Sequence, residues 1–400
     1  MQNHFDASSI FKNASFPEFA TRVCVVIPVQ NEAEFLPKTL EALRLQVDKH
    51  NKPIPNTSYE VLMLVNNCTD NSYQIVLDYA KLFPSFRLHI ANITLAASEA
   101  NIGTVRRLLM DEALKRLKLT ANTDTIIAST DGDTYVDAQW VYHIISEIDK
   151  GTDAVGGRIL TQPNKSSARL HHLRDVTYRC LLAQAEALID PLQHDPYPRH
   201  FQYFGANMAV TSKMYEQAGR LPQVPYLEDM AFHQALLLKD ARIRKSCAVK
   251  VFTSSRIHGR VQVGFSEQLK KWTEESESSI PHMVEAVNPI LKLFSIRSQL
   301  RVYWSNYRQT MDINLNEIAA ISKAIEVEPS WLRNQLMVNN FFGGVWQAVE
   351  QKVNNKHGNS ALQPIQDAIT QLRAFFSNKQ AIVFQTDPAD RYLVADAINV

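Results

Sequence analysis

The chain has 400 residues, 45% hydrophobic and 21% charged, which is enough apolar material for one large α/β domain plus a smaller one and too much for a disordered chain. Lys plus Arg is 42 and Asp plus Glu is 41, and this balance gives no support for broad nucleic-acid or anionic-membrane binding. Cys24, Cys68, Cys180 and Cys247 form no CxxC pair and no zinc spacing, as expected of free thiols in a reducing cytoplasm. Met1 to Phe19 lacks an apolar h-region, and no apolar run approaches the ~20 residues that span a bilayer. The expectation is a cytoplasmic protein whose membrane contact, if any, is peripheral.

The elements follow in chain order. Residues 1–20 are polar and mixed and read as an N-terminal arm. Arg22 to Val29 (RVCVVIPV) is a β-rich apolar run, followed by Leu36, Leu40 and Leu43 at helical spacing. Tyr59 to Val65 is a second strand, with Ile75, Val76 and Tyr79 marking the next helix. Phe86 to Ile93 is a third strand, followed by a helix marked by Val105, Leu108, Leu109, Ala113 and Leu117. Thr125 to Ser129 is a fourth strand. Successive strand–helix units with near-continuous apolar strands predict a buried, mostly parallel sheet flanked by helices. Ala154 to Leu160 is another strand, and a helix is predicted from about Ser166 to Ile189. Asp190 to His200 is a proline-rich loop with two histidines. Phe201 to Val210 reads as a strand, and Thr211 or Ser212 can N-cap the short helix after it. Glu228 to Leu238 is a helix with acids at its start, and Arg242 to Thr253 returns to strand. From about Gly264 the pattern is helical, with a polar stretch at Thr273 to Ser279 (TEESESS) that reads as a hinge. Trp331, Phe341, Phe342 and Trp346 fall in this last part, which carries no catalytic constellation.

In a parallel α/β sheet, ligands bind outside the carboxyl ends of the strands. Here those ends read Gln30-Asn31-Glu32, Asn66-Asn67-Cys68-Thr69-Asp70 and Asp131-Gly132-Asp133. Asp131 and Asp133 sit one residue apart in STDGDT, and two carboxylates this close repel unless a cation or a proton neutralises them. A hard divalent ion, Mg²⁺ or Mn²⁺, suits them and is usually shared with substrate phosphates. The alternative is an Asx-turn in which both carboxylates cap backbone amides.

VIPVQNE (Val26 to Glu32), VNNCTD (Val65 to Asp70), the run Gly103 to Arg107 and STDGDT stand in an order and spacing that resemble family 2 glycosyltransferases of the GT-A fold. GANMAV (Gly205 to Val210), LEDM (Leu227 to Met230) and TSSRIHGR (Thr253 to Arg260) continue the resemblance, which covers about residues 22 to 272. It implies a Rossmann-like GT-A domain over residues 21–275 and a helical C-terminal extension over 276–400. It also implies a nucleotide pocket lined by Pro28, Asn31 and Glu32. Asp133 would bind a metal bridging the donor diphosphate, with Asp131 facing the ribose or supporting the metal. Arg106 and Arg107 match a basic site that neutralises phosphate or holds an aspartate of the STDGDT turn; otherwise they form a solvated helix face.

Asp229 would be the general base for the acceptor hydroxyl, with Glu228 as a neighbour able to exchange roles with it. The alternative for both is ordinary capping of a helix N-terminus. His258 is a candidate metal ligand, flanked by Arg256 and Arg260, which would close over the diphosphate. Tyr203, Phe204 and Trp272 are aromatic candidates for stacking on sugar, or else core. Many family members carry an aspartate where Val65 stands, so Asn66 and Asn67 must contact the base here, with UDP the default and GDP open.

The expected activity is metal-dependent transfer of a sugar from a nucleotide-sugar to a hydroxyl acceptor of unspecified class, inverting if Asp229 acts as base. A retaining reaction is the alternative if His258 ligates the metal. A nucleotidyltransferase would show a Gly-rich basic signature where VQNEAEF stands, and ranks lower. A non-catalytic nucleotide-sugar-binding protein is the remaining alternative.

Overall fold

The computed structural model describes residues 10–12, 14–161, 168–253, 265–278, 281–357 and 361–386. The chain divides into two compact units, Met1–Pro163 with Gln202–Glu267, and Asn164–Phe201 with Gln268–Val400.

The first unit is built on an eight-stranded sheet. Its elements run β1 (Val23–Val29), α1 (Leu36–Arg44), β2 (Tyr59–Asn66), α2 (Ser72–Leu82), β3 (Leu88–Ile93), α3 (Ile102–Leu117), β4 (Ile126–Ser129), β5 (Thr134–Val136), α4 (Trp140–Asp149) and β6 (Ala154–Thr161). In chain order the next helix, α5 (Ala168–Ile189), lies in the second unit. The first unit then resumes with β7 (Met208–Thr211), α6 (Ser212–Gln217), α7 (Glu228–Leu237) and β8 (Ile243–Thr253). The sheet order is β3-β2-β1-β4-β7-β6-β8-β5. Strands β3, β2, β1 and β4 are mutually parallel, as are β6 and β8, while β7 runs antiparallel to β4 and β6, and β5 antiparallel to β8. This is the α/β class the sequence predicts.

Every residue of β1 and β2 is buried because both faces of the sheet are covered. Alternation sends Cys24, Val26, Leu62 and Leu64 toward α3, with Leu109 and Ala113. It sends Val25, Ile27, Met63 and Val65 to the opposite face, against Leu36 and Leu40 of α1 and Trp140 of α4.

Two pairings place the site. Ser129 at the end of β4 pairs with Met208 at the start of β7, so the 3₁₀ turn Gly205–Asn207 lies beside the DGD turn. Thr134 pairs with Thr253, so β8 ends beside that turn as well. The strand expected over Phe201 to Val210 is confined to β7. The stretch before it instead lies across β6 at Gly156 and Gly157. A Cβ at Gly156 would come within 2.6 Å of the Gln202 carbonyl oxygen, and one at Gly157 would overlap the Asn207 side chain. Thr211 caps α6 by accepting a hydrogen bond from Met214 N at 3.2 Å.

The second unit is helical. After α5 it contains α8 (Phe265–Ser278) from Gln268 on, β9 (Met283–Glu285), α9 (Val287–Thr310), α10 (Leu315–Ala324), α11 (Pro329–Val338), α12 (Phe342–His357), β10 (Leu362–Pro364) and α13 (Ile365–Thr386). TEESESS is not a break up to Ser278, where α8 ends. Leu300, Trp304, Leu332, Val345 and Trp346 form one core, and Tyr178, Val287, Ile369 and Leu372 another. The predicted helix near 166–189 is present as α5 but belongs to this unit. The Asp190–His200 loop is pinned here. Arg199 pairs with Asp195 at 2.7 Å and with Glu186, while Arg297 and Arg301 both pair with the buried Asp190. Among the described residues, no helix is long and apolar enough to cross a membrane.

Candidate active site

The loops after β1 and β2 are tied to each other by their own polar side chains. Asn31 and Asn67 adopt left-handed backbone conformations (φ 53° and 50°), which asparagine tolerates better than most residues with a Cβ. The Asn31 side-chain oxygen accepts hydrogen bonds from Thr69 N at 2.7 Å and Asp70 N at 3.3 Å. Asp70 in turn accepts from Ala33 N and Ser72 N at 3.1 and 3.0 Å, and Glu32 N donates to Ser72 Oγ at 2.8 Å. The Asn67 amide bonds both backbone groups of Leu95, each at 3.0 Å. Asn66 is buried at the last position of β2.

The DGD turn sits directly on this floor. A Cβ on Gly132 would stand 3.1 Å from Glu32 Cγ and 3.4 Å from the Pro28 carbonyl oxygen, so glycine lets the turn press against both residues. Thr39 of α1 donates to the Gly132 carbonyl at 3.1 Å. Asp131 and Asp133 remain half-buried on either side.

Arg106 gathers the rest of the site. Asn101 caps α3 by accepting from Thr104 N at 2.9 Å, and Arg106 lies in the turn that follows. Its guanidinium is buried and donates to four groups: Nε to Glu228 Oε1 at 3.0 Å, Nη1 to Ser129 Oγ at 2.6 Å and to the Gly205 carbonyl at 3.0 Å, and Nη2 to Asp131 Oδ1 at 2.9 Å. Burial works against its charge, but Asp131 and Glu228 outweigh burial and hold its pKa above the ordinary arginine value. The loop before α7 reaches this point because a Cβ at Gly103 would overlap the Val224 carbonyl oxygen. Glycine is needed at 205 too, since a Cβ there would stand 2.7 Å from Arg106 Cζ.

Glu228 and Asp229 open α7, and the preceding Leu227 holds a left-handed backbone (φ 55°). Glu228 is buried. Burial pushes its carboxyl up, Asp229 adds to the push, and Arg106 opposes both. Asp229 is half-buried and accepts from Gly205 N and Met230 N, each at 2.8 Å. Each oxygen therefore accepts one amide and keeps a lone pair for another donor. Behind it, Tyr203 is buried and stacks on His233 at 4.8 Å, its hydroxyl without a hydrogen-bond partner among the described residues.

The structure thus brings Asp131, Arg106, Glu228 and Asp229 together, with Pro28, Glu32 and Asp133 at the same strand ends. It does not bring in Arg107, whose guanidinium is held by Asp111 at 2.6 Å and by the Leu221 carbonyl. Tyr203 and Trp272 are buried, so neither ring is open to a sugar, whereas Phe204 is exposed. Asn207 is fully buried, accepting from Trp140 Nε1 at 2.8 Å and donating to the carbonyls of Arg158 and Val249. His258, Arg256 and Arg260 lie outside the described residues. Ser129 and the Gly156–Gly157 step escape the sequence reading. The serine ending IIAS could be flagged only as the polar residue of an apolar strand, and the glycine pair only as a strand interior without side chains.

Asp131 and Asp133 offer hard oxygen donors, and around Arg106 three carboxylates (Asp131, Glu228, Asp229) face a single guanidinium. That donor set and surplus negative charge fit Mg²⁺ or Mn²⁺. Among the described residues, no three His, Cys, Asp or Glu side chains gather as a metal-ligand set, so such an ion would draw further oxygens from phosphate and water.

Residues 24–210 match the family model described as glycosyl transferase family 2. Over this segment the chain is similar to that family. The matched segment spans β1 to β7 and holds Arg106, both aspartates of the DGD turn and Gly205; Glu228 and Asp229 follow it. The glycosyltransferase AglE of Haloferax volcanii is 28% identical over 148 residues, covering 36% of this chain and 42% of that protein. The chain therefore matches less than half the length of this relative. Among solved structures, TarS of S. aureus in complex with UDP is 13% identical, covering 85% of this chain and 92% of that chain with a TM-score of 0.42. The mannosyltransferase PcManGT of Pyrobaculum calidifontis in complex with GDP-Man and Mn²⁺ is 14% identical, covering 93% and 83% with a TM-score of 0.42.

Proposed function

We propose that the chain transfers a glycosyl unit from a nucleotide-sugar to a hydroxyl acceptor, with inversion at the anomeric carbon and Asp229 as general base. One observation carries this reading: the buried Arg106 guanidinium ties the DGD turn, the end of β4, the Gly205 turn and the start of α7 to a single point. Three family motifs that are far apart in sequence thereby face one cleft end of the sheet.

In this reading Pro28, Asn31 and Glu32 line the nucleotide side, and Asn66 presents a neutral amide to the base. Asn31 and Asn67 act mainly by shaping the pocket floor, because their side chains bind the neighbouring loops. Asp133, with Asp131, would hold the divalent ion, which when bound neutralises charge on the departing diphosphate. The acceptor hydroxyl gives its proton to a free lone pair of Asp229. Its oxygen forms the new bond to the anomeric carbon as the carbon–oxygen bond to the diphosphate breaks, and that electron pair leaves with the diphosphate. Gly205 N and Met230 N fix the Asp229 carboxylate, and Arg106 fixes the carbonyl side of the same Gly205 turn.

The test is binding of UDP, GDP, CMP and their sugars to the wild-type chain and to Asp133→Ala, with and without Mn²⁺. Metal-dependent binding of one diphosphate, weakened at least ~100-fold in the variant, is expected. Absence of metal-dependent binding across the panel would remove the mechanism and favour a binding protein.

A further inference from the structure

Four large apolar side chains stand exposed around Asp229. Phe204, 37% exposed, immediately precedes the Gly205 amide that Asp229 holds, and Tyr226 (41%), Leu227 (44%) and Met230 (54%) flank the Glu228–Asp229 pair. Elsewhere in the sheet unit, Leu45, Leu82 and Leu119 are each exposed singly, which is ordinary for a protein surface. Four such residues on the two short segments that carry a candidate base and the amide it holds are more than scattered exposure.

Two further features mark the cluster. Leu227 keeps a left-handed backbone (φ 55°, ψ 36°), which is strained for a bulky side chain; glycine or asparagine would make the same turn without strain. Moreover, the loop Leu221–Leu227 (LPQVPYL) carries no charged side chain, although it leads directly into two acids. A nucleotide diphosphate has no complement on such a surface, and neither does an anionic acceptor. The ligand that must reach Asp229 is the acceptor.

Resting on Asp229 as the base, we propose that the acceptor is amphipathic: its reacting hydroxyl is borne next to an uncharged aliphatic group, which lies against Phe204, Tyr226, Leu227 and Met230. The rim then contributes acceptor affinity and orientation, while the proton transfer belongs to Asp229.

Met230 is a built-in reporter. The full chain labelled with [methyl-¹³C]methionine, in the presence of Mn²⁺ and whichever nucleoside diphosphate it binds, is titrated with n-octyl β-D-glucoside below its micelle concentration and separately with methyl β-D-glucoside. The Met230 signal is assigned by its loss in Met230→Leu. The octyl compound is expected to shift this signal saturably and the methyl compound to leave it unmoved. A Phe204→Ser, Leu227→Ser double variant should weaken octyl binding at least about fivefold while nucleotide binding stays unchanged. Equal responses to the two glucosides, or octyl binding indifferent to the double variant, would overturn the proposal while leaving the glycosyltransferase reading intact. If metal-dependent nucleotide binding is missing from the same samples, the glycosyltransferase reading falls, and the acceptor assignment falls with it.

Discussion

Helix α3 carries two buried arginines, Arg106 near its start and Arg116 near its end, roughly 15 Å apart along the axis, and their surroundings are opposite in kind. Arg116 meets Glu60 fork to fork, Nε to Oε1 at 2.8 Å and Nη2 to Oε2 at 2.7 Å, with the Ser15 carbonyl at 2.8 Å and His89 alongside at 3.1 Å. Both members of that pair have no exposed side-chain surface. Arg106 makes single bonds to two carboxylates, a hydroxyl and a carbonyl on different segments, and the side chain of Asp131 remains 33% exposed. A closed, fully buried bidentate pair stabilises one arrangement. A divided guanidinium that leaves carboxylate oxygens open positions groups for chemistry. The neighbouring carboxyls agree. At Glu60, burial pushes the pKa up, but hydrogen bonds from Arg116 and His89 outweigh it and hold the group down at about 2. At Glu228, burial prevails over Arg106 and the carboxyl is held above its ordinary range.

The largest expected effect separates the two arginines directly. Arg116→Met strands a buried Glu60 carboxylate and should lower stability by roughly 3–5 kcal/mol, leaving turnover per folded molecule near wild type. Arg106→Met should reduce turnover by roughly 100-fold or more with a much smaller loss of stability, because Glu228 is already pushed toward its neutral form and can take a proton. Urea unfolding and single-substrate turnover on both variants decide it. A stability loss at Arg106 as large as that at Arg116 would collapse the distinction into two structural ion pairs.

A second expectation sharpens the structural end. Glu60 has a folded-state pKa of about 2 against an ordinary value of 4.5, so its ionised form favours folding. That contribution is complete above the unfolded value and is lost as pH falls from there through the folded one, a span worth about 3 kcal/mol. Unfolding free energies of wild type and Glu60→Gln should therefore differ most at pH 6 to 7 and converge toward pH 2. Parallel curves over that range would place the pair's contribution in packing and not in charge.

The end of α3 to which we assign a part in the chemistry is the harder one to see from sequence. The strand ends were legible because β1, β2 and β4 are short apolar runs that stop at polar residues, and the sheet rule then points to Asn31, Asn66 and the DGD turn. Arg106 and Arg107 are chemically alike. The choice between them depends on helix phase relative to the sheet, set by the Asn101 cap and by Gly103 under Val224, and single-chain periodicity does not supply it. The expected strand over Phe201 to Val210 shrank to Met208–Thr211 because Gly156 and Gly157, about fifty residues earlier, provide a seat without Cβ atoms for the preceding stretch. Strands β5, β9 and β10 have three residues each, too few for alternation to register. The Asn67 side chain, expected at the nucleotide base, bonds both backbone groups of Leu95, a contact that depends on backbone geometry absent from any local motif.

The smallest expected effect tests the cost of keeping Glu228 where it is. A carboxyl whose folded pKa lies above its unfolded value stabilises the fold only while it is protonated. That advantage is complete below the unfolded value and disappears as pH rises through the folded one; above it, the buried charge works against folding. At pH 7 to 8, Glu228→Gln removes this penalty, keeps an oxygen in reach of Arg106, and should raise stability by about 1 kcal/mol. The gain should fade as pH is lowered through the carboxylate range, opposite in direction to Glu60→Gln. Turnover should fall in the same variant, because Arg106 loses one of the two charged partners that fix it. Stabilisation with lost activity would identify the start of α7 as a place where the fold gives up stability for its chemistry. Destabilisation at neutral pH would make Glu228 a second Glu60 and leave Asp131 as the one carboxylate bonded to Arg106, among the described residues, with a proposed part in the chemistry.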